Sequence, residues 1–105
     1  MPILQRRANP RVSFDTELWL GQDGVFTHTM SRMADVSVGG ARILSPDAHQ
    51  IGSILSLRFA LQSSFITVTA IVRNVRPGSF GVEFLDLSPE DGLKLDSFVA
   101  AGERF

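Results

Sequence analysis

Apolar and polar residues alternate in steps of two along most of the chain, which is the pattern of β-strands with one buried face. In the first such run, Leu18 and Leu20 fall on one face and Trp19 falls on the other. Clusters of Gly, Pro, Ser and Asp interrupt the alternation and predict turns. The pattern therefore predicts six short strands, at about residues 12–20, 25–34, 41–44, 55–61, 66–72 and 80–84.

Towards its C-terminal end the chain acquires the signals of a helix. Ser88 suits the N-cap and Pro89 suits the first helical position. An apolar stripe with helical spacing follows at Leu95, Phe98 and Val99. Six antiparallel strands followed by one helix predict a mainly β fold, a small six-stranded barrel that closes its own edges, with one C-terminal α-helix.

The composition is that of one globular domain, with 105 residues of which 44% are hydrophobic and 20% charged. The chain has no cysteine, which excludes disulfides, thiol catalysis and cysteine-based zinc sites. Its formal net charge of −1 argues against non-specific binding to DNA or RNA. No run approaches the roughly 20 apolar residues of a membrane helix, and the N-terminus does not read as a secretory signal. We therefore expect a cytoplasmic protein that does not insert into membranes.

Two arginines spaced four apart, Arg7 and Arg11, lie near the start of the chain, with Arg6 beside them. A guanidinium group stays charged and presents parallel donors that match phosphate oxygens and the O6 and N7 acceptors of guanine. Pro10 favours an extended conformation of Asn9 and stiffens the link between the two arginines. Arginine-rich leading segments are also often merely solvated, so this motif does not decide the function alone.

A second motif supplies groups that complement the first. Asp35 and Ser37 precede two glycines, Gly39 and Gly40. A carboxylate can accept the N–H donors on the Watson–Crick edge of guanine, a hydroxyl can donate or accept, and glycine lets a backbone approach a ligand closely or adopt positive φ. Turns of this composition also occur in many hairpins that bind nothing. The two motifs together suit an anionic guanine nucleotide better than a catalytic reaction.

A simple hairpin would bring the two motifs side by side. If residues 21–24 form a four-residue loop, Leu20 pairs with Val25 and Arg11 lies opposite Ala34, so that Asp35 falls beside Pro10. A slip or a bulge would change this register by a residue or two. Even then, the first strand begins where the second strand ends.

Four further side chains are weaker candidates. Arg42 follows the second motif and either reaches the site or points to water. Trp19 is more readily interpreted as a core or barrel-end aromatic than as a binding platform. His28 and His49 stand alone without clustered acids, so we expect no metal site. The sequence suggests no catalytic triad, no general base and no phosphate-binding loop at the start of a helix. We therefore expect that the protein is not an enzyme and that it has no catalytic residue and no cofactor.

The two motifs together, Arg7-x-x-x-Arg11 and Asp35-x-Ser37-x-x-Gly40, closely resemble those of the PilZ domain, a bacterial receptor for cyclic di-GMP. The likeness extends to residues 40–43, which resemble the strand after the family's turn, and to residues 81–84, which resemble its last barrel strand. It covers nearly the whole chain, as a single PilZ domain at 5–102.

The resemblance implies a six-stranded antiparallel barrel at 12–86, a C-terminal helix at 87–102, and a leading segment at 1–11 that is mobile until ligand orders it. It implies that the arginines clamp phosphates and guanine while the second motif grips the other side. In similar proteins an arginine at the position of Arg6 favours binding of an intercalated nucleotide dimer, so the resemblance implies the same here. The expected ligand-binding residues are Arg6, Arg7, Arg11, Asp35, Ser37 and Gly40, with Gly39 and Arg42 as further candidates.

Three hypotheses for the function remain open at this point. The first is a stand-alone receptor that binds cyclic di-GMP and relays the signal to an unidentified effector protein. The second is a nucleotide-independent interaction module, for example in pilus or flagellar function. The third is a binder of single-stranded nucleic acid, which the net charge and the lack of an aromatic series interleaved with basic residues disfavour.

Overall fold

The computed structural model describes residues 12–22, 25–47, 49–61 and 64–102. Six antiparallel strands form a closed ring in the order β1-β2-β3-β6-β5-β4, and one helix follows them. The elements are β1 (Val12–Gln22), β2 (Val25–Val36), β3 (Gly40–Leu44), β4 (Ile54–Leu61), β5 (Ser64–Arg76), β6 (Ser79–Phe84) and α1 (Pro89–Gly102). The predicted mainly β barrel with a C-terminal helix is confirmed.

The hairpin of β1 and β2 has a shorter connection than predicted. Leu20 pairs with Thr27 rather than with Val25, and Gln22 pairs with Val25. Only residues 23–24 separate the strands, and Asp-Gly is a preferred sequence for a two-residue hairpin loop. The four-residue loop was therefore wrong, because Gly21 and Gln22 belong to the strand.

Two further irregularities in this hairpin move the register again. They lie between Ser13 and Thr16 and between Glu17 and Trp19 on β1. As a result, Val36 rather than Ala34 lies opposite the start of β1, where it pairs with Val12. The predicted pairing of Arg11 with Ala34 does not fit this register, and Arg11 itself lies outside the described residues.

The barrel interior is filled by the inward rows of the strands. Every second residue of β4 from Leu55 to Leu61 is buried, and the same holds for β5 from Ile66 to Val72. Phe59 and Phe84 stack across the interior with ring centroids 6.4 Å apart. Because the side-chain period of a strand is two, these rows leave the alternate residues on the outer wall.

The helix and the last tight turn follow the sequence prediction. The Asp91 amide donates to the Ser88 hydroxyl at 3.1 Å, as an N-cap requires. Leu95 is fully buried and belongs to the barrel core, with Phe98 packed against it. Gly78 lies in the turn between β5 and β6 and has a φ of 77°, a positive value that glycine adopts without steric cost. Over the described ranges, no helix is long and apolar enough to cross a membrane.

Candidate functional site

The second motif begins inside a strand rather than in a turn. Asp35 and Val36 are the last residues of β2, and β3 already begins at Gly40. The turn therefore spans only residues 37–39, three residues fewer than the sequence predicted. Because Val36 is fully buried, the neighbouring Asp35 belongs to the outer wall of the barrel.

Ser37 holds this turn together through its own side chain. Its hydroxyl accepts from the amides of Gly39 and Gly40, both at 3.2 Å, and donates to the Gly40 carbonyl oxygen at 3.3 Å. Its backbone amide donates to the same carbonyl at 2.8 Å. Ser37 is only 3% exposed. The serine therefore satisfies buried backbone groups of the turn, which leaves its hydroxyl little capacity for a ligand.

The two glycines tie the turn to the neighbouring strand β6. The Phe84 amide donates to the Gly39 carbonyl at 2.9 Å. Gly40 is buried opposite Glu83, and a Cβ atom there would collide with the carbonyl oxygen of Val82. Gly40 is thus required because β6 approaches it closely. A positive φ is not the reason, since the described glycines with positive φ are Gly52 and Gly78.

Asp35 is the member of the second motif best placed to contact a ligand. It is half-buried on the outer wall and pairs with Ser13 on β1 and with Arg42 on β3. Directly paired residues of antiparallel strands project to the same face, so Asp35 and Arg42 share the outer wall. A carboxylate at this position offers two acceptor oxygens beside the start of β1.

Arg42 makes contacts that neither of its two sequence interpretations described. Its guanidinium donates to the Ser79 hydroxyl at 3.1 Å and to the Asn74 side-chain oxygen at 2.8 Å. Arg42 and Asn74 both pair with Gly81, so their side chains meet above a residue that has none. Arg42 thus joins the outer faces of three strands, and its role in ligand binding stays a prediction.

The arginines of the first motif, Arg6, Arg7 and Arg11, lie outside the described residues. The strand that follows them, β1, is described. Val12 is the first residue of β1, and it pairs with Val36, which directly precedes Ser37. The arginine segment therefore leads into the barrel at the end where the second motif turns.

The structure also bears on the weaker candidates of the sequence. Throughout the described ranges, no group of His, Asp and Glu could hold a metal ion. The His49 ring packs against Phe80 with centroids 4.5 Å apart. Glu83 is exposed and accepts a hydrogen bond from Arg73 at 2.7 Å.

Comparison with known families decides the relationship. The model of the PilZ domain matches residues 5–101. The chain belongs to the PilZ domain family. No relative of curated function was found by sequence comparison.

Solved structures agree with the fold of this PilZ domain. The motility inhibitor MotI/DgrA of Bacillus subtilis is 20% identical with a TM-score of 0.79; the match covers 95% of this chain and 52% of that one. This domain thus spans about half the length of that protein. The PilZ domain of Escherichia coli YcgR, solved with c-di-GMP, is 21% identical with a TM-score of 0.69, covering 95% and 93% of the two chains. A third, the PilZ domain of CeSA from a cellulose-synthesizing bacterium, is 13% identical with a TM-score of 0.65, covering 89% and 97%.

Sequence reasoning located the second motif but did not describe what its residues do in the fold. It named Ser37 and Gly40 as ligand contacts, which stays a prediction, and in this structure both also hold the turn and its neighbour strand. It also missed the Arg42–Asn74 contact across β6. A glycine inside a predicted strand, Gly81, was the signal that two side chains approach each other closely there.

Proposed function

We propose that this PilZ domain is a receptor for cyclic di-GMP that relays the nucleotide signal to an effector protein. The observation that supports it best is the strand register at one end of the barrel. Val12 follows Arg11 directly and pairs with Val36, beside the turn of the second motif. One ordinary hairpin thus joins the ends of the two motifs, so a ligand bound by one lies within reach of the other.

The chemistry of these groups matches the ligand. Cyclic di-GMP carries two phosphates and two guanines, which need cationic planar donors and a carboxylate acceptor. Arg7 and Arg11 supply the cationic planar donors, and Asp35 on the outer wall supplies the carboxylate acceptor. Family membership and the fold of the YcgR domain solved with c-di-GMP support the same ligand. Ser37, Gly39 and Gly40 contribute by fixing the turn next to Asp35.

Arg6 leads us to propose that two nucleotides bind as an intercalated dimer. A third guanidinium next to Arg7 adds a planar donor that can stack on a second base. Titration calorimetry with cyclic di-GMP should then give about two nucleotides per chain, and Arg6→Ala should reduce that number towards one.

Titration calorimetry on the wild type, Arg7→Ala and Arg11→Ala tests the proposed receptor function. Each substitution should weaken binding by about 1.5–3 kcal/mol, or roughly 10- to 150-fold, as for a lost hydrogen bond to a charged group. The thermal midpoint should change little, because side chains outside the barrel core add little to its stability. Wild-type affinity in either variant would remove that arginine from the site.

One observation favours a second candidate, a PilZ-type interaction module that does not need the nucleotide. Ser37 and Gly40 are used by the fold itself, so a chain that had lost its ligand would still require them. Such a module would serve in pilus or flagellar function. A pull-down of partners with and without cyclic di-GMP separates the two, since the same complex in both conditions, with no heat of nucleotide binding, supports the second.

For the receptor we propose a cytoplasmic, non-catalytic adaptor, with outputs of the motility, surface-polysaccharide or biofilm type. The arguments are the small single fold and the absence of triad or phosphate-loop motifs from the sequence. We propose no DNA or RNA partner, since the net charge is −1.

A further inference from the structure

An aromatic and cationic cluster lies on the outer wall formed by β1, β4 and β5. Trp19 on β1 pairs with Arg58 on β4, and Phe65 on β5 pairs with Ala60. The rings of Trp19 and Phe65 meet edge to face with centroids 5.9 Å apart. The guanidinium carbon of Arg58 lies 4.6 Å from the centroid of Phe65. We call Trp19, Arg58 and Phe65 the aromatic wall.

The aromatic wall is open to solvent. Phe65 is 47% exposed, Arg58 is exposed and Trp19 is half-buried. Trp19 thus lies outside the buried core, which was one of the two positions that the sequence favoured for it. The three side chains of the aromatic wall are of the kinds that contribute most energy at protein interfaces, and their edge-to-face and cation–π contacts are already formed in the free chain.

Charge indicates what kind of partner fits this wall. Arg58 has no carboxylate partner among the side chains that the structure describes. The outer positions beside it on β4 and β5 are small or neutral, such as Ser56, Ala60 and Thr67. The wall therefore offers one guanidinium that has no carboxylate partner among the described side chains and lies against an apolar surface, which is complementary to a carboxylate beside an apolar side chain.

We infer that the aromatic wall is a docking surface for a partner protein, and that the partner presents an acidic segment with a large apolar side chain next to Asp or Glu. Single-stranded nucleic acid is the competing occupant, because bases also stack on aromatic rings. It fits less well, since it needs a row of cations that follows the phosphates and this wall has one. The inference does not depend on nucleotide binding, because the wall uses none of the proposed ligand residues.

Selection of a random peptide library on the full chain tests this assignment. Enriched peptides should carry Asp or Glu beside Leu, Phe or Trp. Their binding can be followed by fluorescence of Trp19, since the chain has one tryptophan and no tyrosine. Arg58→Glu and Phe65→Ala should each weaken binding roughly 10-fold or more, as for loss of a hot-spot residue. Ile51→Ala, at an exposed apolar residue outside the aromatic wall, is the matched control and should bind as the wild type does.

Three results would overturn the inference: enriched peptides without acidic residues, equal binding to wild type and Arg58→Glu, or no peptide whose binding depends on these positions. Quenching of Trp19 by oligouridine, lost in Arg58→Glu, would assign the wall to nucleic acid instead. Circular dichroism establishes that each variant folds. Arg58→Lys keeps the positive charge but removes the planar guanidinium, so it separates the effect of charge from that of the contact with Phe65. Cyclic di-GMP titration of Arg58→Glu keeps this test apart from the proposed receptor function, because nucleotide affinity should not change.

Discussion

The turn at residues 37–39 and the aromatic wall contrast in how their polar groups are used. In the turn, the Ser37 hydroxyl meets the amides of Gly39 and Gly40 and is buried with them. On the wall, Arg58 and Phe65 contact each other but remain exposed. The lesson is that a residue typical of binding motifs can serve the fold, while binding capacity lies in side chains whose groups are not already satisfied.

The strongest test of this contrast is Gly40→Ala. The added methyl group meets the backbone of β6 at Val82, which cannot move aside as a flexible side chain could. We expect the free energy of unfolding to fall by about 1–3 kcal/mol, the cost of overpacking a closed site. Urea denaturation measures it. In Gly92→Ala, where the new atom makes only an ordinary contact with Leu87, helix propensity should raise stability by up to about 1 kcal/mol. Equal effects of the two substitutions would contradict the role assigned to Gly40.

Ser37→Ala should have the next largest effect. Removing the hydroxyl leaves the buried amide of Gly40 and the half-buried amide of Gly39 without their acceptor, which costs about 1–2 kcal/mol. Chemical denaturation again measures the loss. Ser64→Ala is the control, because its single 3.4 Å hydrogen bond to the Leu61 carbonyl is only partly buried and should matter less. A Ser37 variant as stable as the wild type would leave that hydroxyl free for a ligand after all.

Arg58→Ala should change stability much less than either substitution in the turn. An exposed cation–π contact contributes about 0.5–1 kcal/mol, so the unfolding midpoint should shift only slightly. Thermal denaturation with Ile51→Ala alongside is the measurement. A loss as large as that of Ser37→Ala would mean that the aromatic wall supports the fold, and the contrast would fail.

Glu83→Gln should have the smallest effect. It removes the ion pair with Arg73, whose two side chains are both about half exposed, and such pairs contribute about 0.2–1 kcal/mol. The difference between wild type and variant should shrink further in high salt, because salt screens exposed charges. A loss that grows with salt would indicate that Glu83 does something other than pair with Arg73.

The fold could be predicted from the sequence because its signals are local. The alternation in β4 and β5 and the Ser88-Pro89 helix start each fix an element without knowledge of the rest. The register of β1 against β2 could not be predicted. It depends on how far the strands extend, since Gln22 pairs with Val25, and on two irregularities in β1 that have no local sequence signal.

The candidate site could be predicted in part. The position of the second motif beside the start of β1 followed from the order of strands and survives the change of register. The separate roles of the motif residues could not be predicted. Asp35, Ser37 and Gly40 are all compatible with a ligand when only their residue types are known. Only the structure shows that the fold also uses Ser37, through its hydrogen bonds, and Gly40, through the close approach of β6.

Titration calorimetry with cyclic di-GMP on wild type, Asp35→Asn and Arg58→Ala tests the central claim most directly. The claim is that the outer-wall carboxylate beside the turn receives the nucleotide and that the aromatic wall does not. We predict clear binding to wild type and Arg58→Ala, and a loss of roughly 10-fold or more in Asp35→Asn, since the amide offers one acceptor oxygen where the carboxylate offers two. Unchanged affinity in Asp35→Asn, or an equal loss in Arg58→Ala, would contradict it.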